Sequence, residues 1–295
     1  MNLVTWNIQA GRGTDGQIDL DRIADVIRRL PFHDGRAADL ICLQEVSRHF
    51  KGLTHGTPAD QATELARRFP GYTPVFRAAV DLQPYESCDS SLPRRQFGCM
   101  VLSRHPVIQV FNHLLTQAGV TVKGMQRQLL EVVVAHPDGP LRVLTTHLEY
   151  NAPACRLAQV AQIRVLHEQA LSYPGAAHAP ASDTPYAAAP RPAAALICGD
   201  FNFTTDSDEY RHMLMPSGPD VPALQDAWAV HAGKQPHLPT CGLDDAAQWP
   251  QGPHCRDFCF ATPDLAARIA QVDVDTRTRA SDHQPLFLSL RGKTR

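Results

Sequence analysis

The stretch Ala195-Leu196-Ile197-Cys198-Gly199-Asp200-Phe201-Asn202 is an apolar run that ends in a polar corner. Four successive apolar residues predict a short strand that is buried on both faces. Gly199 permits a turn of the backbone, and Asp200 and Asn202, two residues apart, can point to the same side. Gly, Asp and Asn are also ordinary turn residues, so the stretch by itself predicts only a strand end. It becomes informative because other strand-like stretches of the chain end in similar polar groups.

The composition is that of a globular protein that can bury a large core. The chain has 295 residues, 43% of them hydrophobic, a net charge of -2 and a pI near 6.7. Such a balance excludes a globally basic nucleic-acid-binding protein, although a local basic patch remains open. No apolar run is long enough to span a membrane. The segment from Met1 to Trp6 enters a strand pattern with no basic stretch and no cleavage site, so we expect no signal peptide and a cytoplasmic protein.

The eight cysteines do not form a metal-binding or disulfide pattern. None belongs to a Cys-x-x-Cys pair, and Cys42 and Cys198 lie inside apolar strand runs. We interpret them as small buried residues in a reducing compartment.

Strand-like and helix-like segments alternate irregularly along the chain. Apolar runs predict roughly a dozen strands, among them Leu3–Ile8, Asp39–Glu45, Tyr72–Val80, Phe97–Ser103, Val107–Leu115, Gln128–Ala135, Leu141–Leu148, Asp257–Ala261, Val272–Asp275 and Leu286–Leu290. Helical spacing predicts helices at Asp19–Leu30, Asp60–Phe69, Arg156–Leu171 and Ser207–Met215, and a short one from Asp226. These helices are too few for a doubly wound sheet, so we expect two packed sheets with helices on their outer faces. Residues 1–295 then form one domain, with a flexible, Ala- and Pro-rich insert at about 174–194.

Polar residues at strand ends are the candidate functional groups. They are Asn7, Glu45, His147, Asp200, Asn202, Asp257, Asp282 and His283. Carboxylates with an amide suit Mg²⁺ or Mn²⁺, and histidine beside carboxylate suits acid–base chemistry near neutral pH. Each residue alone is more simply a cap, a turn residue or a hydrogen-bonded histidine. Their joint occurrence, in this order, makes that interpretation unlikely.

The ordered motifs resemble those of the endonuclease/exonuclease/phosphatase superfamily, which has the fold of deoxyribonuclease I. The matching segments are Thr5-Trp6-Asn7-Ile8, Leu43-Gln44-Glu45-Val46, Leu102-Ser103-Arg104, Thr146-His147-Leu148, Gly199-Asp200-Phe201-Asn202 and Ser281-Asp282-His283-Gln284-Pro285. The resemblance implies a four-layer α/β sandwich, with two packed mixed β-sheets flanked by helices.

The resemblance also implies a role for each candidate residue. Glu45 would be the principal Mg²⁺ ligand, with Asn7 and Asp282 beside it. Asp200 would orient or deprotonate the attacking water. Asn202 and His147 would hold phosphate oxygens, and His283 would face the phosphorus with Asp257 behind it. Two segments depart from the family pattern: Cys255-Arg256-Asp257-Phe258 replaces the usual Arg-x-Asp-Tyr, and Gln9 stands where DNA-cutting members often carry Asp or Asn.

The implied activity is Mg²⁺- or Mn²⁺-dependent hydrolysis of a phosphate ester by in-line attack of water. The segment Thr146-His147-Leu148-Glu149 is similar to that of a broad group of small bacterial members, so DNA, RNA or a nucleotide is the favoured substrate, and we expect a monomer. One alternative is an inositol phosphate or phospholipid headgroup. Another, of a different class, is a non-catalytic binding module, which the retained acids, amides and histidines disfavour. A zinc protein would need clustered ligand spacing that the chain lacks.

Overall fold

The computed structural model describes residues 1–55, 59–84, 91–118, 124–172, 184, 189–216, 218, 221–246 and 248–293. Most of the predicted insert at 174–194 and most of the loop from Gly119 to Gly124 lie outside these residues. Among the described helices, none combines the length and the apolar character that crossing a bilayer requires.

The described part of the chain forms twelve strands and seven α-helices. The strands are β1 (Asn2–Asn7), β2 (Leu40–Arg48), β3 (Thr73–Leu82), β4 (Arg95–Ser103), β5 (Val107–Leu114), β6 (Gln128–Val134), β7 (Leu141–His147), β8 (Ala195–Asp200), β9 (Gln225–Asp226), β10 (Asp257–Ala261), β11 (Ile269–Val274) and β12 (Leu286–Leu290). The helices are α1 (Leu20–Arg29), α2 (Lys51–Thr54), α3 (Gln61–Arg68), α4 (Pro153–Leu171), α5 (Asp208–Leu214), α6 (Ala227–Ala232) and α7 (Pro263–Ala266). The sequence therefore predicts almost every long element, with boundaries that differ by a few residues.

The strands form two six-stranded mixed sheets. The first has the order β11-β12-β1-β2-β4-β3, and the second has the order β5-β6-β7-β8-β10-β9. Each sheet contains one parallel pair, β1 with β2 and β7 with β8, whose members are connected through α1 and α4 respectively. Polar residues lie where the pairing of each parallel pair ends, namely Asn7 and Glu45 in one sheet and His147 and Asp200 in the other. This topology places side chains from distant parts of the sequence at one end of the molecule.

Three apolar clusters hold the layers together. The central cluster lies between the sheets and includes Leu3, Cys42, Val132, Cys198 and Leu288. The helices α1 and α3 cover the outer face of the first sheet, and α4 and α5 cover that of the second, through the buried residues Ile23, Leu65, Ile163 and Met213. Helix, sheet, sheet and helix thus form four layers, which confirms the predicted α/β sandwich. The seven described cysteines are unpaired and buried, as expected from their apolar surroundings.

The second strand differs from its prediction, because it does not end at Glu45. It continues to Arg48, and its pairing with β4 shifts register between Leu43 and Val46. A β-bulge adds a residue to one strand and re-aims the side chain at that point. Glu45 occupies the bulge with φ 60°, a left-handed conformation that few residues other than glycine adopt. The carboxylate is therefore directed by a bulge within a strand rather than by the end of a strand.

Gly199 permits the close approach of β7 and β8. Its φ is +138°, and a Cβ atom at this position would lie 2.0 Å from the carbonyl oxygen of Thr146. An alanine here would force the two parallel strands apart. The glycine predicted to turn the chain thus lies inside the strand and keeps His147 and Asp200 in register.

The last residues of the predicted insert belong to the packed domain. Arg191 forms two hydrogen bonds with Glu131, at 2.9 and 2.8 Å, and its guanidinium lies 4.4 Å from the ring centroid of Phe111. The carbonyl of Pro192 accepts a hydrogen bond from Arg142 Nε at 2.6 Å. A deletion that tests whether the insert is dispensable should therefore end before residue 189.

Candidate active site

All eight residues that the sequence predicts as site residues meet at one end of the sandwich. Seven of them line a cleft of about 530 Å³: Asn7, Glu45, His147, Asp200, Asn202, Asp282 and His283. The eighth, Asp257, lies directly behind His283. The strand ends of both sheets therefore contribute to a single site.

Asn7 connects the two halves of the site. Its Nδ2 atom donates to Glu45 Oε1 at 3.0 Å and to Asp200 Oδ2 at 2.9 Å. Its Oδ1 atom accepts from the backbone N–H of Gln9 at 3.0 Å. Glu45 belongs to the first sheet and Asp200 to the second, so this one amide fixes the distance between two acidic groups across the cleft. Gln9 also lines the cleft.

His283 and Asp257 form a buried ion pair. Nδ1 of His283 lies 2.8 Å from Asp257 Oδ2, and Nε2 lies 3.7 Å from Asp200 Oδ2. Burial by itself lowers the pKa of His283, but the carboxylates of Asp257, Asp200 and Asp282 more than offset it and hold the pKa well above its ordinary value. The ring is therefore charged at neutral pH, with one nitrogen fixed by Asp257. The departing segment around Asp257 still brings this carboxylate to the predicted histidine.

His147 has the opposite electrostatic environment. Its Nε2 atom lies 3.4 Å from Asp200 Oδ2, and its Nδ1 atom lies 3.9 Å from Glu45 Oε1. Burial, reinforced by the positive charge of Arg127, lowers the pKa of His147 to about 3. The ring is thus neutral at physiological pH, and one of its nitrogens can donate a hydrogen bond without carrying a charge.

Among the described residues, neither Glu45 nor Asp282 forms a salt bridge with a lysine or an arginine, and the charge of His283 offsets their negative charge only in part. Burial and then the negative charge of Asp282 raise the pKa of Glu45 to about 7, and burial raises the pKa of Asp282. Asp282 Oδ2 accepts one hydrogen bond, from Gln248 Nε2 at 2.8 Å. The side chain of Glu45 is 25% exposed and faces the cleft. Two neighbouring carboxylates and the Asn7 amide form an oxygen-rich donor set that fits a hard divalent cation such as Mg²⁺.

A second group of possible ligand atoms lies deeper in the molecule. Ligand atoms of Asp200, Asp257 and His283 all lie within 4.8 Å of one another. However, the His283 ring nitrogen that faces Asp257 is already bonded to it, and Asp257 is fully buried. This arrangement suits a fixed histidine–carboxylate pair better than an accessible ion site.

Three cleft residues have strained backbones. Gln9, Glu45 and Asn202 adopt φ values of 46°, 60° and 54°, which cost free energy for residues other than glycine. The backbone N–H of Asn202 donates to Asp200 Oδ1 at 2.9 Å, and its Nδ2 donates to the carbonyl of Leu148 at 3.0 Å. These bonds hold the amide at the edge of the cleft despite the strain.

Three functional candidates have no clear signal in the sequence. The first is Arg127, which lines the cleft beside His147 and is 6% exposed. Its Nε lies 3.6 Å from Glu149 Oε2, and its Nε and Nη1 atoms have no hydrogen-bond partner among the described residues. Burial lowers the pKa of Arg127, although an arginine remains charged. An arginine before an apolar strand is ordinary, so only the three-dimensional structure identifies it.

The other two candidates are aromatic and lie on one side of the cleft. Tyr150 and Trp249 make an edge-to-face contact with ring centroids 5.9 Å apart. The Arg256 guanidinium lies over both rings, 5.4 Å from the centroid of Tyr150 and 4.8 Å from that of Trp249. Arg256 also donates to Asn202 Oδ1 at 3.3 Å. We call Tyr150 and Trp249 the aromatic wall.

Two mixed sheets whose polar strand ends meet in one acidic, histidine-containing cleft define the deoxyribonuclease I-like class of α/β sandwich. The model of the Endonuclease/Exonuclease/phosphatase family matches residues 4–283, and the chain belongs to that family, whose members are generally hydrolytic phosphoesterases.

Solved structures support the same fold. An endonuclease/exonuclease/phosphatase protein from Beutenbergia cavernae is 25% identical, with a TM-score of 0.66, over 99% of this chain and 71% of that one. The human Nocturnin catalytic domain is 19% identical, with a TM-score of 0.59, over 99% of this chain and 93% of the other. TDP2 from Caenorhabditis elegans is 17% identical, with a TM-score of 0.60, over 97% and 95% of the two chains. No curated protein sequence matches the chain.

Proposed function

We propose that the protein is a Mg²⁺-dependent phosphodiesterase, with Mn²⁺ as an effective substitute, and that a nucleotide or nucleic acid provides its substrate. One observation carries this proposal. Uncompensated carboxylates of Glu45 and Asp282 border the same cleft as the charged His283–Asp257 pair. Such a site can bind a cation and a phosphate side by side.

The cation would be held by Glu45, Asp282 and Asn7. When bound, the ion neutralises negative charge on the phosphate and on the leaving oxygen. In the structure the Asn7 Nδ2 atom donates to Glu45 and Asp200 and its Oδ1 atom accepts from the Gln9 N–H, so Oδ1 would have to offer the ion its second lone pair. A second ligand set need not be invoked, because the Asp200–Asp257–His283 group has its own internal hydrogen bond.

Asp200 is the candidate for positioning the attacking water. One of its oxygens, Oδ2, accepts from Asn7 and lies near both histidines, and the other accepts from the Asn202 N–H. A water held by this carboxylate would attack phosphorus in line with the leaving oxygen. The bond from water oxygen to phosphorus forms as the bond from phosphorus to the leaving oxygen breaks. Asp200 takes up the proton that the water loses.

The phosphoryl oxygens would be stabilised by four donors. The charged His283, the neutral His147, the Asn202 amide and the Arg127 guanidinium all face the cleft. Arg127 is the least committed of these, because two of its nitrogens lack partners within the described chain. Fixed donors aimed at developing charge are an effective source of catalysis, since they need no reorganisation during the reaction.

The aromatic wall favours a nucleotide on one side of the scissile phosphate. Tyr150 is 41% exposed and stands beside the catalytic groups, where a base could stack on its ring. The net charge of -2 gives the protein no overall attraction to a polyanion, so we propose a short or single-stranded substrate rather than a long duplex.

A substrate panel tests the proposal. Purified protein, treated with EDTA and then supplied with Mg²⁺ or Mn²⁺, is assayed on bis-p-nitrophenyl phosphate, single-stranded DNA, RNA, double-stranded DNA, an inositol phosphate and sphingomyelin. We expect metal-dependent cleavage of bis-p-nitrophenyl phosphate and of single-stranded nucleic acid. Cleavage confined to the inositol phosphate or to sphingomyelin would show that the substrate is an inositol phosphate or a phospholipid rather than a nucleotide or nucleic acid. Tight binding of nucleic acid without cleavage of any substrate would indicate a non-catalytic module.

A further inference from the structure

One side of the cleft is apolar, in contrast to the side formed by the carboxylates and histidines. Six side chains form it, and we call them the apolar ledge: Phe50, Leu53, Val80, Leu82, Phe97 and Met125. They come from three separate parts of the chain, namely the segment after β2, the paired strands β3 and β4, and the segment before β6. The ledge therefore depends on the fold and has no continuous sequence motif.

The register of β3 and β4 explains why this apolar surface exists. Val80 pairs with Phe97, and Phe97 lies on the same strand face as Cys99 and Val101, which belong to the core between the sheets. A bulge between Ala78 and Val80 keeps the last residues of β3 on that face. The inter-sheet face of the first sheet thus extends into the cleft.

The ledge remains accessible in the described structure. Leu82 and Leu53 are 44% and 37% exposed, whereas the core residues on the same face are buried. An apolar surface inside a cleft, next to a few polar groups, is the usual composition of a small-molecule binding site. None of the six side chains carries a strong hydrogen-bond donor or acceptor, so the ledge cannot read the polar edge of a nucleobase.

The ledge adjoins the acidic part of the site. Phe97 and Met125 line a small recess together with Glu45, Arg127 and His147. Glu45 is the residue proposed to hold the cation that neutralises the leaving oxygen. A group attached to that oxygen would consequently meet the ledge, while the group retained on phosphorus would meet the aromatic wall.

We propose that the apolar ledge binds an aryl or alkyl group that is esterified to the scissile phosphate through the leaving oxygen. This inference rests on the proposed phosphodiesterase function and adds that, among phosphodiesters, those with one apolar ester group on the leaving oxygen are preferred. The specificity-determining residues are Val80, Leu82 and Phe97, with Leu53 and Met125 completing the contact.

Binding of two phosphonates tests the ledge without requiring turnover. Isothermal titration calorimetry with Mg²⁺ present compares phenylphosphonate with 4-butylphenylphosphonate, whose P–C bonds resist hydrolysis. Half-burial of the butyl chain should make the second ligand bind about tenfold more tightly. The Val80→Ser/Leu82→Ser double variant should reduce the preference to less than about threefold. Leu114→Ser is the matched control, because Leu114 is also an exposed strand leucine, at 54%, but is not part of the ledge.

Equal binding of the two phosphonates by the wild-type protein would overturn the ledge proposal. A loss of preference in Leu114→Ser as large as that in the ledge variant would also overturn it. Circular dichroism and the melting temperature verify that each variant is folded.

A kinetic comparison separates this inference from the proposed function. The phenyl and 4-butylphenyl esters of thymidine 5′-monophosphate have leaving groups of nearly equal acidity, so their intrinsic reactivity is similar. We expect kcat/KM to be about tenfold higher for the butyl ester. Hydrolysis of both esters at the same rate would refute the ledge and leave the phosphodiesterase intact. A clear preference for the butyl phosphonate without hydrolysis of either ester would refute the phosphodiesterase and support the ledge.

Discussion

Glu45 and Glu131 are two largely buried glutamates with opposite environments. Glu131 lies in β6, and its two oxygens bind Arg191 at 2.9 and 2.8 Å and His113 at 3.0 Å. Burial by itself raises the pKa of Glu131, but Arg191, His113 and Arg142 lower it to about 2. Glu45 has the Asn7 amide at 3.0 Å and the Asp282 charge nearby, and its pKa rises to about 7.

The difference separates a charge that the fold itself balances from one that we propose to be functional. The chain itself supplies the cations that balance Glu131, so that cluster is complete without a ligand. Around Glu45 the negative charges of Asp282 and Asp200 outweigh the effect of the charged His283, and a bound divalent cation would remove that imbalance. Substitutions at the two glutamates should therefore affect different properties of the protein.

The largest expected effect is on catalysis in Glu45→Gln. The amide keeps the shape of the side chain but removes the charge that holds the cation, so kcat/KM for bis-p-nitrophenyl phosphate should fall by at least about a thousandfold. The free energy of unfolding measured in EDTA should stay the same or rise, because a repulsive charge is lost. Glu64→Gln, an acid on the surface of α3, is the matched control and should retain wild-type turnover. Near-wild-type rates in Glu45→Gln at saturating Mg²⁺ would show that this carboxylate is not a metal ligand.

The next effect is on stability in Glu131→Gln. Removing this charge takes away the carboxylate that lies 3.7 Å from the fully buried Arg142 guanidinium and weakens the contact with Arg191, so urea unfolding should show a loss of about 3–5 kcal/mol. Turnover per folded molecule should remain normal, because Glu131 does not line the cleft. A loss below about 0.5 kcal/mol, as expected for surface acids, would mean that the cluster contributes little.

Acid unfolding sharpens the same contrast. The pKa of Glu131 is about 2 in the folded protein, below its ordinary value of 4.5, so the stabilisation that its charge provides is complete above pH 4.5. It is lost as the pH falls from about 4.5 to about 2, and it amounts to roughly 3 kcal/mol. The difference in unfolding free energy between wild type and Glu131→Gln should shrink over this range. A difference that is constant with pH would contradict the depressed pKa.

The smallest expected effect is a shift of the pH–rate profile in Asp257→Asn. Asp257 helps to hold the pKa of His283 above its ordinary value, so removing its charge should lower that pKa. If charged His283 is required, the alkaline limb of kcat/KM should move to lower pH. Asp226→Asn is the matched control, since Asp226 pairs with His237 at 2.6 Å outside the cleft. If the alkaline limb of kcat/KM does not move in Asp257→Asn, another carboxylate must hold the pKa of His283 above its ordinary value.

The sequence predicts the eight site residues because each stands in a short motif in or beside a strand and these motifs occur together in a fixed order. Asp200 and Asn202 follow a recognisable apolar run, and Asp282-His283 precedes the last strand. Asp257 is recovered despite its altered surroundings, since its pairing with His283 depends on the position of β10 rather than on the flanking residues. The two-sheet architecture follows from the number of strands and the small number of helices.

The remaining features depend on contacts between distant residues. The sequence around Glu131 predicts an apolar strand, and the main partner of Glu131, Arg191, is 60 residues away along the chain. The bulge at Glu45 depends on the pairing of β2 with β4. Arg127 becomes a candidate only because two of its guanidinium nitrogens have no hydrogen-bond partner among the described residues where it borders the cleft. The ledge arises from the register of two strands with a loop on one side, which no local pattern indicates.

The most direct test of the account is the rate of bis-p-nitrophenyl phosphate hydrolysis as a function of Mg²⁺ concentration, starting from EDTA-treated protein. The account predicts a rate at background level without metal and a saturable recovery with Mg²⁺. Glu131→Gln should show the same recovery per folded molecule, and Glu45→Gln should show none. Two results would contradict the claim that the carboxylates of this cleft bind the catalytic ion. One is hydrolysis that persists without a divalent cation, and the other is a Mg²⁺-dependent recovery in Glu45→Gln that is as complete as in the wild type.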